Sequence, residues 1–461
     1  MLPLLLSVHP FSGLSTIPGL TLLPGDRIAP SYVVDLDTPA ADRWNEIATE
    51  YSSAMAPAIA YLRKNAGKGS LLYPLVSDLI SAVTGPGGSW DAERTAEMTG
   101  FAAAGEFSPT LSLSLSLFSP ARSLYPPPSL NEPLVLEPTT TPTAGYTLFD
   151  IQAANLFYEY EPGHFLESAT TEAEAAQVAG WKWCTSIVAQ HTNGSIYHAR
   201  NQDYSLPGLT NITMDVIFRK GGLDLFVGTT FAGYLGAPTA MRFDGGWSVN
   251  ADSRFTASGV DPFAGVAAAK KGGKAVGFMI RDAMESCGTF AEAVAFFTTT
   301  ETIGPSYYTL GGVARDEGAV FSRNRDGPDN SHKSAAAPQG EGIWKINDGT
   351  AAPAQVSRTV ACVLVWGAGS SFSSSHPSPP FPSPLQWFRL ETNFDHWSII
   401  TDGRRAPANA HMKAIGQDSI SLSRIFTEVL SIKPVLAPDT VYTTLMWPAA
   451  NSYQSIIRPG Y

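Results

Sequence analysis

The chain contains little cysteine, little charge and no long uninterrupted apolar run. Its 461 residues include only three cysteines, Cys184, Cys287 and Cys362. Three scattered cysteines are too few for a disulfide framework or a tetrahedral zinc site. No run approaches the ~20 apolar residues that a membrane-spanning helix needs, so the sequence favours a soluble protein.

Positive charge is also scarce, because the chain carries 30 basic and 41 acidic residues, with a formal net charge of −11. An acidic protein makes a poor partner for phosphate backbones, so we expect no nucleic-acid partner. The eight histidines include no HxH or HxxxH pair, and this disfavours a metalloenzyme. We therefore predict neither a metal nor an organic cofactor.

The composition is that of a globular protein with irregular parts. Hydrophobic residues make up 44% of the chain, while 35 prolines indicate stretches that cannot be regular. Two of these, residues 107–145 and 369–384, are so rich in Ser, Thr and Pro that we predict them to be inserts. Residues 1–28 read at best as a degenerate signal or leader, because their apolar run lacks a basic start and prolines interrupt it.

Periodicity predicts helices and hairpins in succession. Helical patterns cover residues 38–65, where Pro57 should kink or split the helix, and recur in later segments at 72–83, 274–298 and 420–432. Alternating apolar runs flank Asn193-Gly194 and Gly221-Gly222, and others lie at 307–323 and 441–446. Hairpins interleaved with helices predict an α+β fold in which antiparallel sheets are layered with helices.

The first predicted hairpin contains a cysteine, an arginine and an aspartate that could take part in catalysis. If Asn193-Gly194 is a two-residue turn, Cys184 lies directly opposite Asp203, with Cβ atoms about 5 Å apart. In the same register Arg200 faces Ile187 and projects to the other side of the strand from Asp203. For both to line one site, the strand must bend or end between them.

A cut between Trp183 and Cys184 would explain why a carboxylate lies beside a thiol. An aspartate opposes ionisation of a neighbouring thiol, so it makes better sense as the partner of a cation. Once that bond is broken, Cys184 would carry an α-amine with a pKa of about 7.7 to 8.0, suited to act as the base for its own thiol. Without such a cut, Cys184 would be an ordinary buried strand cysteine, and Cys287, in a helical pattern, is expected to be a packing residue as well.

The hairpin and five later motifs form a recognisable set. They are WCTSIVAQHTNGSIYHARNQDY (183–204), FAGYLG (231–236), YYTLGGVARDEGAVFSRNRDGP (307–328), WFRLETNFDHW (387–397), DGRRAP (402–407) and KPVLAPDTVYTTLM (433–446). These motifs resemble the acid ceramidases and the N-acylethanolamine-hydrolysing acid amidases, within the choloylglycine hydrolase group of N-terminal nucleophile hydrolases. The resemblance covers most of the chain from residue 146 onward, covers 29–106 more loosely, and skips both inserts.

The resemblance implies an αββα four-layer sandwich, preceded by a helical segment and made as a self-cleaving precursor. Residues 29–183 would form the amino-terminal alpha subunit, and 184–461 the catalytic beta subunit. Its implied site consists of the nucleophile, two residues that position it, an oxyanion donor and a further arginine, which are Cys184, Arg200, Asp203, Asn393 and Arg404, respectively.

The implied activity is hydrolysis of a lipid amide, either an N-acylethanolamine or a ceramide, through a thioester on Cys184. The alternatives are an unprocessed lipid-binding relative and a bile-salt or penicillin amide hydrolase. The implied partners are the lipid amide, the two fragments of the precursor and a transient lipid surface. The implied compartment is the lysosome or an acidic vacuole, with secretion as an alternative.

One stretch departs from the family pattern. Where the amidases carry a functional Glu before Arg, this chain has Ser253 before Arg254, with Asp252 as the nearest acid. We therefore keep Asp252 and Arg254 as possible accessory residues. Self-cleavage or its pH dependence could differ accordingly, and the insert at 369–384 lies shortly before Asn393.

Overall fold

The structure is a computed structural model that describes residues 17–105, 145–160, 184–254, 262–333, 340–347, 386–398 and 402–460. Several features of the sequence lie outside these ranges. They are residues 1–16 of the predicted leader, nearly all of the insert at 107–145, the whole insert at 369–384, Trp183 and Cys362.

Two β-sheets form the centre of the described part. The strands are β1 (Arg27–Ile28), β2 (Ser31–Asp35), β3 (Thr185–Gln190), β4 (Ile196–Asp203), β5 (Thr213–Lys220), β6 (Leu223–Phe231), β7 (Thr239–Arg242), β8 (Ser248–Ser253), β9 (Ser306–Gly311), β10 (Gly318–Arg323), β11 (Ile343–Lys345), β12 (Phe388–Glu391), β13 (Thr440–Trp447) and β14 (Ser452–Ile457). One sheet has the order β1-β14-β13-β4-β3-β12, and the other β11-β10-β9-β8-β7-β6-β5-β2. Every pairing between these strands is antiparallel except that of β2 with β5.

Helices precede, separate and follow the strands. They are α1 (Asn45–Tyr51), α2 (Ala56–Ala66), α3 (Tyr73–Thr84), α4 (Ala92–Ala104), α5 (Leu148–Asn155), α6 (Phe157–Tyr160), α7 (Leu209–Ile212), α8 (Pro262–Ala269), α9 (Val276–Ser286), α10 (Phe290–Thr299), α11 (Arg405–Ile415) and α12 (Leu422–Ile425), the last continued by a π-helical turn at Phe426–Leu430. None of the described helices is both long and apolar enough to cross a bilayer.

The layers confirm the predicted αββα sandwich. On the outer face of the six-stranded sheet, Ile187, Ala199 and Leu445 pack against α11, α12 and the π-helical turn. The opposite sheet is covered by α9 and α10, whose Met279 and Phe297 belong to the largest core. Between the sheets, residues of β5, β6 and β7 meet Met446 and Tyr453 of β13 and β14.

The amino-terminal segment is mostly helical, as predicted, but it also adds one edge strand to each sheet. β1 pairs with β14, and β2 pairs with β5. The helical pattern at 38–65 is divided into a 3₁₀ turn, α1 and α2, and Pro57 occupies the first turn of α2, where a proline costs no hydrogen bond. The pattern at 274–298 is likewise divided, since Gly288 follows α9 and Thr289 starts α10 with a capping box.

A buried ion network joins the amino-terminal segment to the segment that begins at Cys184. Glu97 is fully buried and accepts hydrogen bonds from Arg281 (2.7 Å to each carboxylate oxygen) and from Arg43 (2.8 Å). Arg94, one turn before Glu97, pairs with Asp282 and Glu285 of α9. Burial alone would raise the pKa of Glu97, but the arginine charges outweigh it and lower the pKa to about 2.

We predict that Glu97→Gln destabilises the fold by about 3–5 kcal/mol, because it leaves buried arginines without their shared counter-charge. A folded-state pKa below the unfolded value means that this stability is present above about pH 4.5 and is lost only as the pH falls toward 2. The loss measured by chemical unfolding should therefore be similar at pH 5 and pH 7. Glu93→Gln is the control, since Glu93 is half exposed and pairs with the same Arg43. Equal small effects of both substitutions would contradict the prediction.

Candidate active site

The hairpin of β3 and β4 has a different register from the one predicted. Ser186 lies opposite Arg200 and Ile187 opposite Ala199, one residue away from the expected pairing. The loop has three residues rather than two, because His191 still donates its amide to the Ser195 carbonyl, and Gly194 adopts φ +98°. Asn-Gly thus forms the end of a longer loop, a known alternative to the two-residue turn. The predicted opposition of Cys184 and Asp203 is wrong.

Cys184 immediately precedes β3 and is buried, and its thiol faces the space between the sheets. Arg200 Nη2 donates to Cys184 Sγ at 2.9 Å and lies 3.2 Å from Asp252 Oδ1 on β8. Arg200 Nη1 donates to the Pro238 carbonyl and to Thr239 Oγ1. The guanidinium is therefore held rigidly beside the thiol by groups of the opposite sheet.

Asp203 approaches Cys184 from the other face of the sheet. Arg404 Nη1 donates both to the Cys184 carbonyl oxygen and to Asp203 Oδ2, at 3.0 Å each. Thr440 donates its hydroxyl to Asp203 Oδ1 at 2.6 Å, at a bulge of β13 where β4 ends. No bend is needed within β4, since the Cys184 side chain is contacted from one face and its backbone from the other.

Asn393 follows β12 and adopts a left-handed backbone with φ +74°. Its Oδ1 accepts a hydrogen bond from Arg404 Nη2 at 3.2 Å, and its Nδ2 donates to the Ser253 carbonyl at 2.7 Å. Arg404 therefore links Asn393 to the backbone of Cys184. The structure brings all five predicted residues into one buried cluster.

Arg405 fixes the segment that contains Asn393, although the sequence did not identify Arg405 as a site residue. Its guanidinium donates to Thr392 Oγ1 (3.2 Å), to the Asp395 carbonyl (3.1 Å), to Glu391 Oε1 (3.3 Å) and to the Phe394 carbonyl. These bonds fix the backbone on both sides of a strained asparagine. Adjacent arginines between Gly and Pro are typical of a solvated turn, so only the partners of Arg405 in space reveal this function.

The two possible accessory residues lie in different places. Asp252 is fully buried beside Arg200, and it also accepts hydrogen bonds from Ser186 and Asn250. Arg254 forms a separate cluster, with a bidentate pair to Asp395 and an ion pair to Asp329. The Ser253 hydroxyl is buried without a hydrogen-bond partner in the described region.

Burial dominates the electrostatics of this cluster. It raises the pKa of the Cys184 thiol to about 12, since Arg200 favours the thiolate but Asp252 and Asp203 oppose it. Burial also raises the pKa of Asp203 to about 7, against the charge of Arg404 and the Thr440 hydrogen bond. In the uncleaved chain the thiol is therefore protonated at neutral pH. Among the described residues, no group of three acidic, His or Cys side chains is placed to hold a metal.

An apolar cavity that opens to solvent lies next to this cluster. Tyr204, which follows Asp203, forms part of its wall, and so does Tyr158, whose hydroxyl donates to Gln202 Oε1 on β4. The larger side chains that line the cavity are Met55, Ile59, Leu62, Phe157, Tyr158, Tyr204, Leu206, Leu209, Ile212, Phe231 and Tyr234.

We predict that iodoacetamide alkylates Cys184 of the uncleaved chain at least ~100-fold more slowly at pH 8 than it alkylates the unfolded chain, because little thiolate is present. The rate should rise about tenfold per pH unit up to pH 10. Mass spectrometry of the tryptic peptide that begins at Trp183 isolates the uncleaved form. A rate equal to that of the urea-unfolded control, or one that levels off below pH 9, would contradict the raised pKa.

Comparisons with known proteins find similar sequences. A family model described as the beta subunit of N-acylethanolamine-hydrolyzing acid amidase matches residues 27–84. The N-acylethanolamine-hydrolyzing acid amidase of Cavia porcellus is 34% identical over 60% of this chain and 65% of the relative, and that of Rattus norvegicus is 32% identical over 60% and 64%. The chain thus aligns with somewhat less than two thirds of these relatives.

Two further comparisons extend the similarity. The acid ceramidase of Balaenoptera acutorostrata scammoni is 24% identical over 93% of this chain and 86% of its own length. A solved Caenorhabditis elegans N-acylethanolamine-hydrolyzing acid amidase ortholog is 32% identical, covering 58% of this chain and 93% of its own, with a TM-score of 0.44. By these comparisons, the chain is similar in sequence to N-acylethanolamine-hydrolysing acid amidases and to acid ceramidases.

Proposed function

We propose that this protein is a self-processing cysteine amidase that hydrolyses lipid amides to a free fatty acid and an amine. One observation carries the proposal: Cys184 lies at the head of β3, with its thiol on Arg200 and its carbonyl oxygen on the Arg404–Asp203 pair. These contacts hold both the side chain and the backbone of a residue that is to become an amino terminus. A structural cysteine would need neither set of contacts.

Self-cleavage begins with the same thiol. Cys184 Sγ bonds to the carbonyl carbon of Trp183 while the bond from that carbon to the Cys184 nitrogen breaks and the thiol proton passes to that nitrogen, which gives a thioester and a free α-amine. Water then hydrolyses the thioester, so that Trp183 ends in a carboxylate and Cys184 regains its thiol. Asp203, next to the Cys184 backbone, is placed to hold that amine once it is protonated.

Hydrolysis of the lipid amide uses both new groups. The α-amine takes the thiol proton as Sγ attacks the amide carbonyl, and Asn393 Nδ2 donates to the developing oxyanion. The tetrahedral intermediate collapses by breaking its C–N bond, and the proton passes to the leaving amine. Water activated by the α-amine then attacks the thioester and releases the fatty acid. Arg405 contributes by holding Asn393 in place.

The apolar cavity supports a lipid acyl chain as the substrate's larger half. Its walls come from both α2 of the amino-terminal segment and α7 of the catalytic segment, so the two fragments must stay together to form it. The relatives' names support either an N-acylethanolamine or a ceramide as the substrate, and both remain in the proposal. Their description as acid enzymes supports an acidic compartment, such as a lysosome or vacuole. A lipid substrate also implies transient contact with a lipid surface.

A non-enzymatic lipid-binding protein is the second candidate, because the cavity is already formed in the uncleaved chain. Ser253, in place of the family's glutamate, is the feature that could block maturation. In that event, the chain would bind fatty acyl groups without hydrolysing amides. The third candidate is a bile-salt or penicillin amide hydrolase. Comparing the hydrolysis rates of long-chain amides with those of bulky polycyclic or penicillin amides separates it from the lipid amidase.

The proposed activity is tested by fatty-acid release from N-palmitoylethanolamine and from a C16 ceramide at mildly acidic pH. We expect hydrolysis of at least one substrate by the wild type, none by Cys184→Ala, and a kcat roughly 10²- to 10³-fold lower in Asn393→Ala. Cys287→Ala, which removes a buried thiol far from the cluster, should retain activity. The amidase would be excluded if the cleaved wild type hydrolysed neither substrate, or if Cys184→Ala matched it.

A further inference from the structure

Gln202 lies beside the nucleophile, although neither the sequence motifs nor the proposed mechanism uses it. In the antiparallel register, Thr185 faces Asn201 and Ser186 faces Arg200, so continuing by one residue places Cys184 opposite Gln202. Directly opposed residues have Cβ atoms about 5 Å apart and share one face of the sheet. Gln202 also lies two positions after Arg200, on the face from which Arg200 contacts the thiol.

The two ends of the Gln202 side chain have different surroundings. Its Oε1 accepts a hydrogen bond of 3.2 Å from the Tyr158 hydroxyl, which orients the amide. Its Nε2 is buried and has no hydrogen-bond partner within the described residues, while the whole residue is 0% exposed. A buried amide donor without a partner destabilises the folded protein, so its presence next to a reactive group needs an explanation.

The position of Tyr158 indicates what reaches this donor. Tyr158 lines the apolar cavity and also donates its hydroxyl to Gln202 Oε1, so one tyrosine joins the cavity wall to the residue opposite Cys184. An acyl chain in that cavity would have its carbonyl carbon at the thiol. The carbonyl oxygen would then be the polar atom nearest to Gln202.

We propose that the Gln202 side-chain amide donates a hydrogen bond to the carbonyl oxygen of the lipid amide as Cys184 attacks it. Gln202 is thus a second donor to the oxyanion, beside Asn393. The two donors differ, because Asn393 Nδ2 already donates to the Ser253 carbonyl, whereas neither hydrogen on Gln202 Nε2 is engaged in the described part of the chain. This inference rests on the proposed amidase function.

The test compares Gln202→Met, which keeps the side chain's length but removes the donor, with the wild type. We expect kcat/KM for N-palmitoylethanolamine to fall roughly 10- to 100-fold, mainly through kcat, because the bond strengthens in the transition state. We also expect the melting temperature to stay the same or rise, since the substitution removes a buried unpartnered donor. A merely structural residue would lose stability and activity together.

Gln190→Met is the matched control, because Gln190 is a buried glutamine on β3 whose Oε1 is already engaged by the Asp316 amide at 2.6 Å. It should lower the melting temperature while leaving kcat/KM of the folded enzyme nearly unchanged. Wild-type kcat/KM in Gln202→Met, or a loss accompanied by a lower melting temperature, would overturn the inference. If Gln202→Met matures slowly, kcat/KM is referred to the cleaved fraction alone, and a wild-type value for that fraction overturns the inference. A lower melting temperature contradicts it.

Inactivity of the wild type on every lipid amide would mean that the proposed amidase function fails, and this inference with it. A fully active wild type with an equally active Gln202→Met would mean that only the assignment of Gln202 fails. The two failures are therefore distinguishable.

Discussion

Arg404 makes the contacts on which the site depends. From the start of α11 it bonds the Cys184 carbonyl, the Asp203 carboxylate and the Asn393 side chain, and so joins the ends of three strands. Asp402 supports it with a 2.5 Å ion pair. Because these groups are all buried, loss of the arginine would leave an uncompensated carboxylate beside Cys184. One guanidinium therefore holds the three residues that we propose as nucleophile, amine partner and oxyanion donor.

The layered fold gives Cys184 two separate environments. Its thiol points between the sheets, where Arg200, Asp252 and Ser186 form a polar layer continued by His198 with Ser248 and Asn250. Its backbone is contacted from the outer face, where Arg404 and Asp203 lie. Burial keeps the thiol protonated in the uncleaved chain. A base that arises only on cleavage, the α-amine, would release the thiol from that state.

The strands of the fold and five of the clustered residues could be predicted from the sequence. The register of the first hairpin and two further residues could not, because local sequence patterns do not determine them. Alternating apolar residues located both strands of the first hairpin, but Asn193-Gly194 suits two loop lengths, and the choice shifts the register by one residue. The hairpin around Gly221-Gly222 was also predicted, and its loop consists of these two residues. Arg405 and Gln202 were missed because their functions depend on partners that are distant in the chain.

The central claim is that Cys184 becomes an amino terminus. It is tested most directly by intact mass and amino-terminal sequencing after incubation at mildly acidic and at neutral pH, beside a Cys184→Ala control. The account predicts a fragment that begins Cys184-Thr185-Ser186 in the wild type and an intact chain in the control. A wild-type chain that stays whole at every pH would contradict the account.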